Sequence, residues 1–314
     1  RAAGKGEVST PVVQFEAVVS RFRGQVAQAW RDVIEQMRAE LGDVVDVAEV
    51  RRRIPEVLEK LDYEPYADEL ASATLSTEAL GTLQAKEGDG GAVVELPTSS
   101  PVVDTDGWAK RLGVEEAAWS AKVATHRDRA RDSVRYALLR TAEELLAGLD
   151  GQDNVVGELV GASLDGAAEN AQRTDGVLDG AAATSWGDGR WDGLTGDRSK
   201  RIYLRYHIVG EPEGDGRNRK THKAMQGKVY PAEHPIWKVW RPPNGYGCRC
   251  WVTAHSYEEV LAAGWEITED FPEIDGEPVV PDPGWQKHHG EADYDWGTFP
   301  DSWRSALKVK EAKS

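Results

Sequence analysis

The chain has 314 residues, enough for two or three domains and a sizeable buried core. Hydrophobic residues make up 40% and charged residues 29%, which is typical of a globular protein and excludes a disordered one. No apolar run reaches the ~18 residues of a membrane span, and no secretory leader opens the chain. We therefore expect a soluble protein that has no membrane partner; the first residue, Arg1, is consistent with upstream processing or trimming.

Charge is divided unevenly along the chain. The net charge of -16 argues against a passive coat for nucleic acid, because the phosphate backbone would repel it. Residues 198–256, however, hold 12 Lys/Arg against 4 Asp/Glu, which gives +8 and leaves -24 for the remainder. The sequence therefore predicts a basic module inside an acidic protein.

Hydrophobic periodicity predicts helices in the N-terminal half. Apolar residues such as Phe15, Phe22, Trp30 and Met37 recur at steps of three and four over 11–41, behind Thr10-Pro11 as a helix start. Further helices are predicted near 47–61, 65–85 and 115–148, and loops at 86–93 and 97–101. Such apolar stripes are usually the core faces of packed helices.

The character of the sequence changes in the C-terminal half. Glycine rises over 150–197, where a helix is predicted only to about Trp186, and 9 of the 12 tryptophans lie from Trp186 onward. Alternating β-branched and aromatic residues then predict strands at 201–209, 227–231 and 248–256. The predicted fold is α+β: a helical region over 1–150, a compact α+β module within 151–290, and a tail over 291–314.

Both cysteines lie in the stretch HPIWKVWRPPNGYGCRC, residues 234–250. Together with His222 and His234, Cys248 and Cys250 form a ligand set that suits tetrahedral zinc, and His207 and His255 are spare candidates. The one-residue gap between the cysteines is shorter than structural zinc sites usually have. Two other interpretations stay open: a redox pair, which this gap disfavours, and two small residues in a buried core.

Strand alternation makes a geometric prediction for these cysteines. If 248–252 is a strand, Cys248 and Cys250 point to one face and Arg249 to the other. We expect the two thiols to converge with His222, and Arg249 to be free to bind a carboxylate or backbone carbonyls.

Basic residues surround His222 in the sequence: Arg217, Arg219, Lys220, Lys223 and Lys228. A solvated face is the ordinary interpretation, and an acidic partner or phosphate contacts are the alternatives. A histidine beside arginines could serve a nuclease, but no acidic pair with magnesium spacing and no nucleotide-binding loop accompanies it.

The ordered motifs of this region resemble the phage Mu F-like head morphogenesis family. The resemblance covers roughly 185–290, including GRWDGL (189–194) and PDPGWQKHHG (281–290). The matching positions are Asp215, Gly216, Arg217, Arg219, His222, Gly227, Pro231, Pro235, Trp237, Pro242, Pro243, Asn244, Gly245, Cys248, Arg249 and Cys250. Family members commonly have acidic residues where this chain has Glu233-His234, so the resemblance supports His222, Cys248 and Cys250 as a trio and weakens His234 as a fourth ligand.

The resemblance implies a minor capsid protein of a tailed phage, prophage or related particle. Such a protein acts in head assembly near the portal, without catalysis, and its partners are the portal and other head proteins. It would reside in the virion, and in the host cytoplasm during assembly. The alternatives are an enzyme or toxin-like nuclease built on His222, Cys248 and Cys250, and a protein that contacts packaged DNA through the basic 198–256 module.

Overall fold

The structure is a computed structural model that describes residues 10–42, 44–87, 93–152, 155–196, 202–210, 214, 216–283, 285 and 296–309. The helices are α1 (Thr10–Leu41), α2 (Val47–Lys60), α3 (Glu64–Glu87), α4 (Thr105–Leu112), α5 (Glu116–Leu149), α6 (Val156–Glu169), α7 (Ala171–Thr195), α8 (Lys220–Met225), α9 (Tyr257–Ala262) and α10 (Asp301–Ala306). The strands are β1 (Tyr203–His207), β2 (Val229–Pro231), β3 (Trp251–His255), β4 (Glu273–Ile274) and β5 (Glu277–Pro278). No helix in these ranges is long and apolar enough to cross a membrane.

The predicted α+β fold is confirmed, with a helical N-terminal part and small sheets near the C-terminal end. Helices α1, α2, α3 and α5 correspond to the four predicted N-terminal helices. The predicted apolar face of α1 is buried within the chain itself, because Phe15, Phe22, Trp30 and Met37 are each at most 7% exposed. Helices α4 and α6 lie where the sequence indicated no clear periodicity.

Helix α7 extends beyond the predicted end at Trp186 and continues to Thr195. The prediction stopped early because glycine weakens an isolated helix. In the structure the glycines permit close packing: a Cβ on Gly189 would overlap the Glu78 carbonyl of α3, and one on Gly193 would lie 2.8 Å from the Thr82 carbonyl oxygen. Tertiary packing therefore outweighs the low helix propensity.

The described residues form two compact units, each made of segments that are separated in sequence. One contains those within Arg1–Ser20, Ala73–Trp119 and Asp179–Gly290; the other contains those within Arg21–Ser72, Ser120–Leu178 and Glu291–Ser314. The predicted boundaries at 150 and 290 instead divide the chain into continuous regions, and that division stays a prediction. The candidate site lies in the first unit.

The first unit contains an antiparallel sheet with strand order β2-β1-β3. Tyr206 of β1 is paired with Val252 of β3, and Leu204 with Ala254. All three predicted strands exist but are shorter than predicted, and β3 begins at Trp251, so the prediction of a strand from Cys248 was wrong. The chain reaches Cys248 through a turn that contains a cis Pro242-Pro243 peptide bond.

One face of this sheet packs in an apolar core. The core contains Leu204, Tyr206, Ile208, Met225, Tyr230, Ile236, Trp237, Trp240, Cys248, Cys250, Val252 and Ala254. Behind the sheet, the buried Arg190 of α7 donates a 2.9 Å hydrogen bond to the Val252 carbonyl. Helix α7 and β3 are thereby joined by a charge-assisted bond, which is stronger than a neutral one.

In the second unit, all the regular secondary structure among the described residues is helical. Trp30 donates its indole N–H to the Ala167 carbonyl at 2.9 Å and packs edge-to-face on Tyr66. Arg127 binds both carboxylate oxygens of Asp68, at 2.6 and 2.8 Å. Buried aromatic contacts and bidentate pairs thus join helices that are distant in sequence.

Candidate functional site

His222 and the two cysteines reach one point from two directions. His222 lies in the short helix α8, whereas Cys248 and Cys250 lie between the proline turn and β3. The His222 Nδ1 atom is 3.3 Å from the Cys250 sulfur and 3.7 Å from the Cys248 sulfur. The three potential ligand atoms all lie within 4.8 Å of one another. The predicted convergence of this trio is confirmed.

All three side chains are sealed from solvent. His222 is 1%, Cys250 3% and Cys248 5% exposed. The rings of Trp240 and His222 pack edge-to-face, with ring centroids 5.7 Å apart. The cysteines are thus part of the core as well as neighbours of the histidine, so burial alone does not separate a metal site from small core residues.

Polar groups beside the sulfurs stabilise negative charge. The Tyr206 hydroxyl is hydrogen-bonded to Cys250, and a backbone hydrogen bond from Asn244 reaches Cys248. Burial raises the pKa of both thiols; at Cys248 the hydrogen bonds from Cys250 and His222 outweigh it and lower the pKa well below its ordinary value. At Cys250 burial and the neighbouring Cys248 together raise the pKa. The pair therefore favours one thiolate, on Cys248.

Asn244 and Tyr206 form an outer layer around the trio. The Asn244 Nδ2 atom donates to the Tyr206 hydroxyl at 2.9 Å, and burial raises the pKa of this tyrosine well above its ordinary value. The Asn244 Oδ1 and His222 Nε2 atoms are buried and have no hydrogen-bond partner among the residues that the structure describes. These roles were not predicted from the sequence, although Asn244 belongs to the Pro-Pro-Asn-Gly motif and Tyr206 to the inward alternation of β1.

Arg249 points away from the cysteines, as predicted. Its guanidinium lies 3.7 Å from the Glu16 carboxylate of α1, and its side chain is 13% exposed. Cys248 and Cys250 share the core face with Val252 and Ala254. The period-two alternation therefore extends back from β3 through the cysteines, although the ladder hydrogen bonds begin only at Trp251.

The other three candidate histidines, His207, His234 and His255, do not join the trio. His234 caps a 3-10 turn at Pro235–Lys238: its Nδ1 accepts from the Ile236 N–H, and its Nε2 lies 2.9 Å from the Glu269 carbonyl oxygen. His207 and His255 each lie 2.7 Å from the Thr253 hydroxyl. The fourth predicted ligand, His234, thus has both ring nitrogens engaged elsewhere.

Arginines of the basic module pair with acidic residues from other parts of the same unit. Arg219 pairs with Asp282 at 2.8 Å, and Arg241 pairs with Asp188. The exposed cations include Lys220, Lys223 and Lys238. The motif residue Asp215 and the segment 286–290 lie outside the described residues.

Comparison with known proteins finds two relatives. The chain is 41% identical over 78 residues to the Mu-like prophage FluMu F protein of Haemophilus influenzae, which is 25% of this chain and 18% of that protein. It is 29% identical over 85 residues to the "Putative capsid assembly protein F" of Escherichia phage Mu, which is 27% of this chain and 18% of that protein. No family model and no solved structure matches the chain. The two relatives confirm the predicted resemblance to the Mu F-like family, and the chain spans less than a fifth of their length.

Proposed function

We propose that this chain, whose relatives are F proteins of phage Mu and a Mu-like prophage, is a capsid assembly protein of a tailed phage, prophage or related particle. The observation that carries the proposal is the similarity to a phage protein named for capsid assembly. In this proposal the chain is a minor head protein that acts beside the portal. Its partners are the portal and other head proteins, and it is part of the virion.

The burial of the trio favours a structural role over an enzymatic one. A nuclease or transferase needs its histidine within hydrogen-bond reach of a substrate. His222 is 1% exposed and is enclosed by Trp240 and the two cysteines. A substrate would have to open the core of the module to reach it, so we expect no catalytic turnover.

Internal pairing also weakens the case for DNA contact through the basic module. Asp282, Asp188 and Glu16 lie outside 198–256 and neutralise arginines within it. Phosphate contacts need cations that are available at the surface. Three of the arginines that make up the +8 excess thus have carboxylate partners within the unit and are less available to phosphates.

Particle fractionation tests the proposed function. The gene would be deleted in its own phage or prophage and restored with a tagged copy, and heads would be separated by density and analysed by mass spectrometry. We expect the chain to co-sediment with heads, to crosslink to the portal protein, and to be needed for a normal yield of DNA-filled heads. Its absence from every head fraction, with an undiminished yield after deletion, would refute the proposal. Crosslinks to the major shell protein alone would refute the portal placement.

A further inference from the structure

We infer that His222, Cys248 and Cys250 bind a structural zinc ion inside the C-terminal module. The inference goes beyond the proposed assembly function and does not depend on it. It rests on the geometry of three buried side chains that two separate segments bring together. No metal is assigned to either relative by its name.

The distances between the ligand atoms fit one tetrahedral centre. Zinc lies ~2.3 Å from cysteine sulfur and ~2.0–2.1 Å from histidine nitrogen, so ligands in a tetrahedron are separated by roughly 3.5–3.8 Å. The observed separations from His222 Nδ1 are 3.3 Å to Cys250 and 3.7 Å to Cys248. Both separations are close to the tetrahedral values, and the two sulfurs lie within 4.8 Å of each other.

A single ring nitrogen lies close to both sulfurs. A ring nitrogen has either one lone pair or one proton, so Nδ1 makes one good hydrogen bond. Two sulfurs nevertheless face this single atom. A metal ion would satisfy the nitrogen and both sulfurs at once.

Hydrogen-bonding groups lie beside both sulfurs. Tyr206 is hydrogen-bonded to Cys250, and Asn244 supplies a backbone hydrogen bond to Cys248. Such outer hydrogen bonds orient metal ligands and tune their basicity. The trio supplies three of the four ligands of a tetrahedral ion, which leaves the fourth position to a water molecule.

The ion would have a structural role. It would connect helix α8 to the segment before β3, across the 26 residues that separate His222 from Cys248. The β2-β1-β3 sheet next to the trio is small, because its three described strands have three to five residues each. A metal that binds the folded state and not the unfolded one adds its binding free energy to stability.

Metal analysis of the full chain tests the inference. The protein would be expressed with added zinc, freed of any affinity tag and measured by elemental analysis and X-ray absorption. We expect about one zinc per chain, with two sulfur neighbours at ~2.3 Å. Chelation should lower the melting temperature by at least about 3 °C, and zinc should restore it.

Matched variants test whether the zinc is bound by the trio or by histidines elsewhere in the module. Cys248→Ser and Cys250→Ser should lose the zinc, whereas His234→Ala and His255→Ala should retain it. If a cysteine variant fails to fold, the X-ray absorption spectrum and the chelation test of the wild-type chain still show whether zinc is bound by sulfur. Less than about a tenth of a zinc ion per chain after reconstitution, or zinc without sulfur neighbours, would overturn the inference. The proposed assembly function would be unaffected by that result, because head fractionation tests it separately.

Discussion

At the scale of single residues, the carboxylate of Asp282 occupies the space that a side chain on residue 245 would need. A Cβ on Gly245 would overlap this carboxylate and lie 3.2 Å from the Arg219 guanidinium carbon. Asp282 is held there by Arg219 and by its own N–H, which donates to the Asn244 carbonyl at 3.1 Å. Glycine is thus required for a close approach, while its neighbour Gly247 has a φ of +65° and meets a conformational requirement.

Gly245→Val should therefore destabilise the protein. The valine would displace the Arg219–Asp282 pair and disturb the turn that positions Cys248, which we expect to cost about 1–3 kcal/mol. Gly24→Val is the matched control, because Gly24 is exposed on α1 and has no atom within 4 Å of its would-be Cβ. Thermal unfolding of both variants measures the difference, and equal melting temperatures would contradict the role assigned to Gly245.

At the scale of elements, the packing of α7 on α3 depends on glycine. Gly189→Ala should cost about 1–3 kcal/mol, because its methyl group would overlap the Glu78 carbonyl, an atom of the α3 backbone that cannot rotate away. Gly180→Ala in the same helix should instead stabilise by up to about 1 kcal/mol, since its would-be Cβ meets nothing within 4 Å. Chemical denaturation should therefore give opposite signs for the two variants; the same sign would exclude close packing at Gly189.

A charge placed on the apolar face of α1 should destabilise the protein more than a charge on its exposed face. Phe22 is 2% exposed, so Phe22→Asp would bury an unpaired carboxylate and should destabilise by at least about 3 kcal/mol. Gln25→Asp, on the exposed face, should change stability by less than about 0.5 kcal/mol. Arg23→Asp should also have a small effect, somewhat larger than the control, because Arg23 pairs with Asp175 at 2.8 Å across a partly exposed surface. Circular dichroism melts would check the order, and similar losses from all three would contradict the assigned face.

The elements differ in how well the sequence predicts them. The periodicity of Phe15, Phe22, Trp30 and Met37 predicts α1 well, because local pattern and tertiary burial agree. Helix α7 is predicted only in part, since Gly189 gains its helical state from contact with α3, which lies over a hundred residues away in the sequence. At the site, residue types and alternation predict the trio and the opposite direction of Arg249. The contacts of Asn244, Arg190 and Asp282 could not be predicted, because each joins segments whose proximity only the fold creates.

At the scale of the whole molecule, part of the uneven charge of the sequence is paired within the first unit. The basic 198–256 module receives carboxylates from α1, from α7 and from the segment after β5, at Glu16, Asp188 and Asp282. Burial lowers the pKa of the Arg241 guanidinium, and the neighbouring carboxylates, Asp188 first, oppose this shift. The acidic and basic stretches therefore complement one another inside the fold, and charge along the sequence is a poor guide to the charge available at the surface.

This pairing and the sealed trio lead to the last prediction, that the protein has no hydrolytic activity. His222 cannot reach a phosphate or a peptide carbonyl while it is 1% exposed, and several arginines that could clamp a phosphate are paired with carboxylates. Assays of the full chain on single- and double-stranded DNA, RNA and casein, with magnesium, manganese or zinc, should give no turnover above a heat-denatured sample. Turnover that is lost in His222→Ala, retained in His255→Ala and measured on variants with unchanged melting curves would contradict the prediction. That result would identify the buried trio as a catalytic centre that opens in solution, and the toxin-like alternative would then replace the assembly proposal.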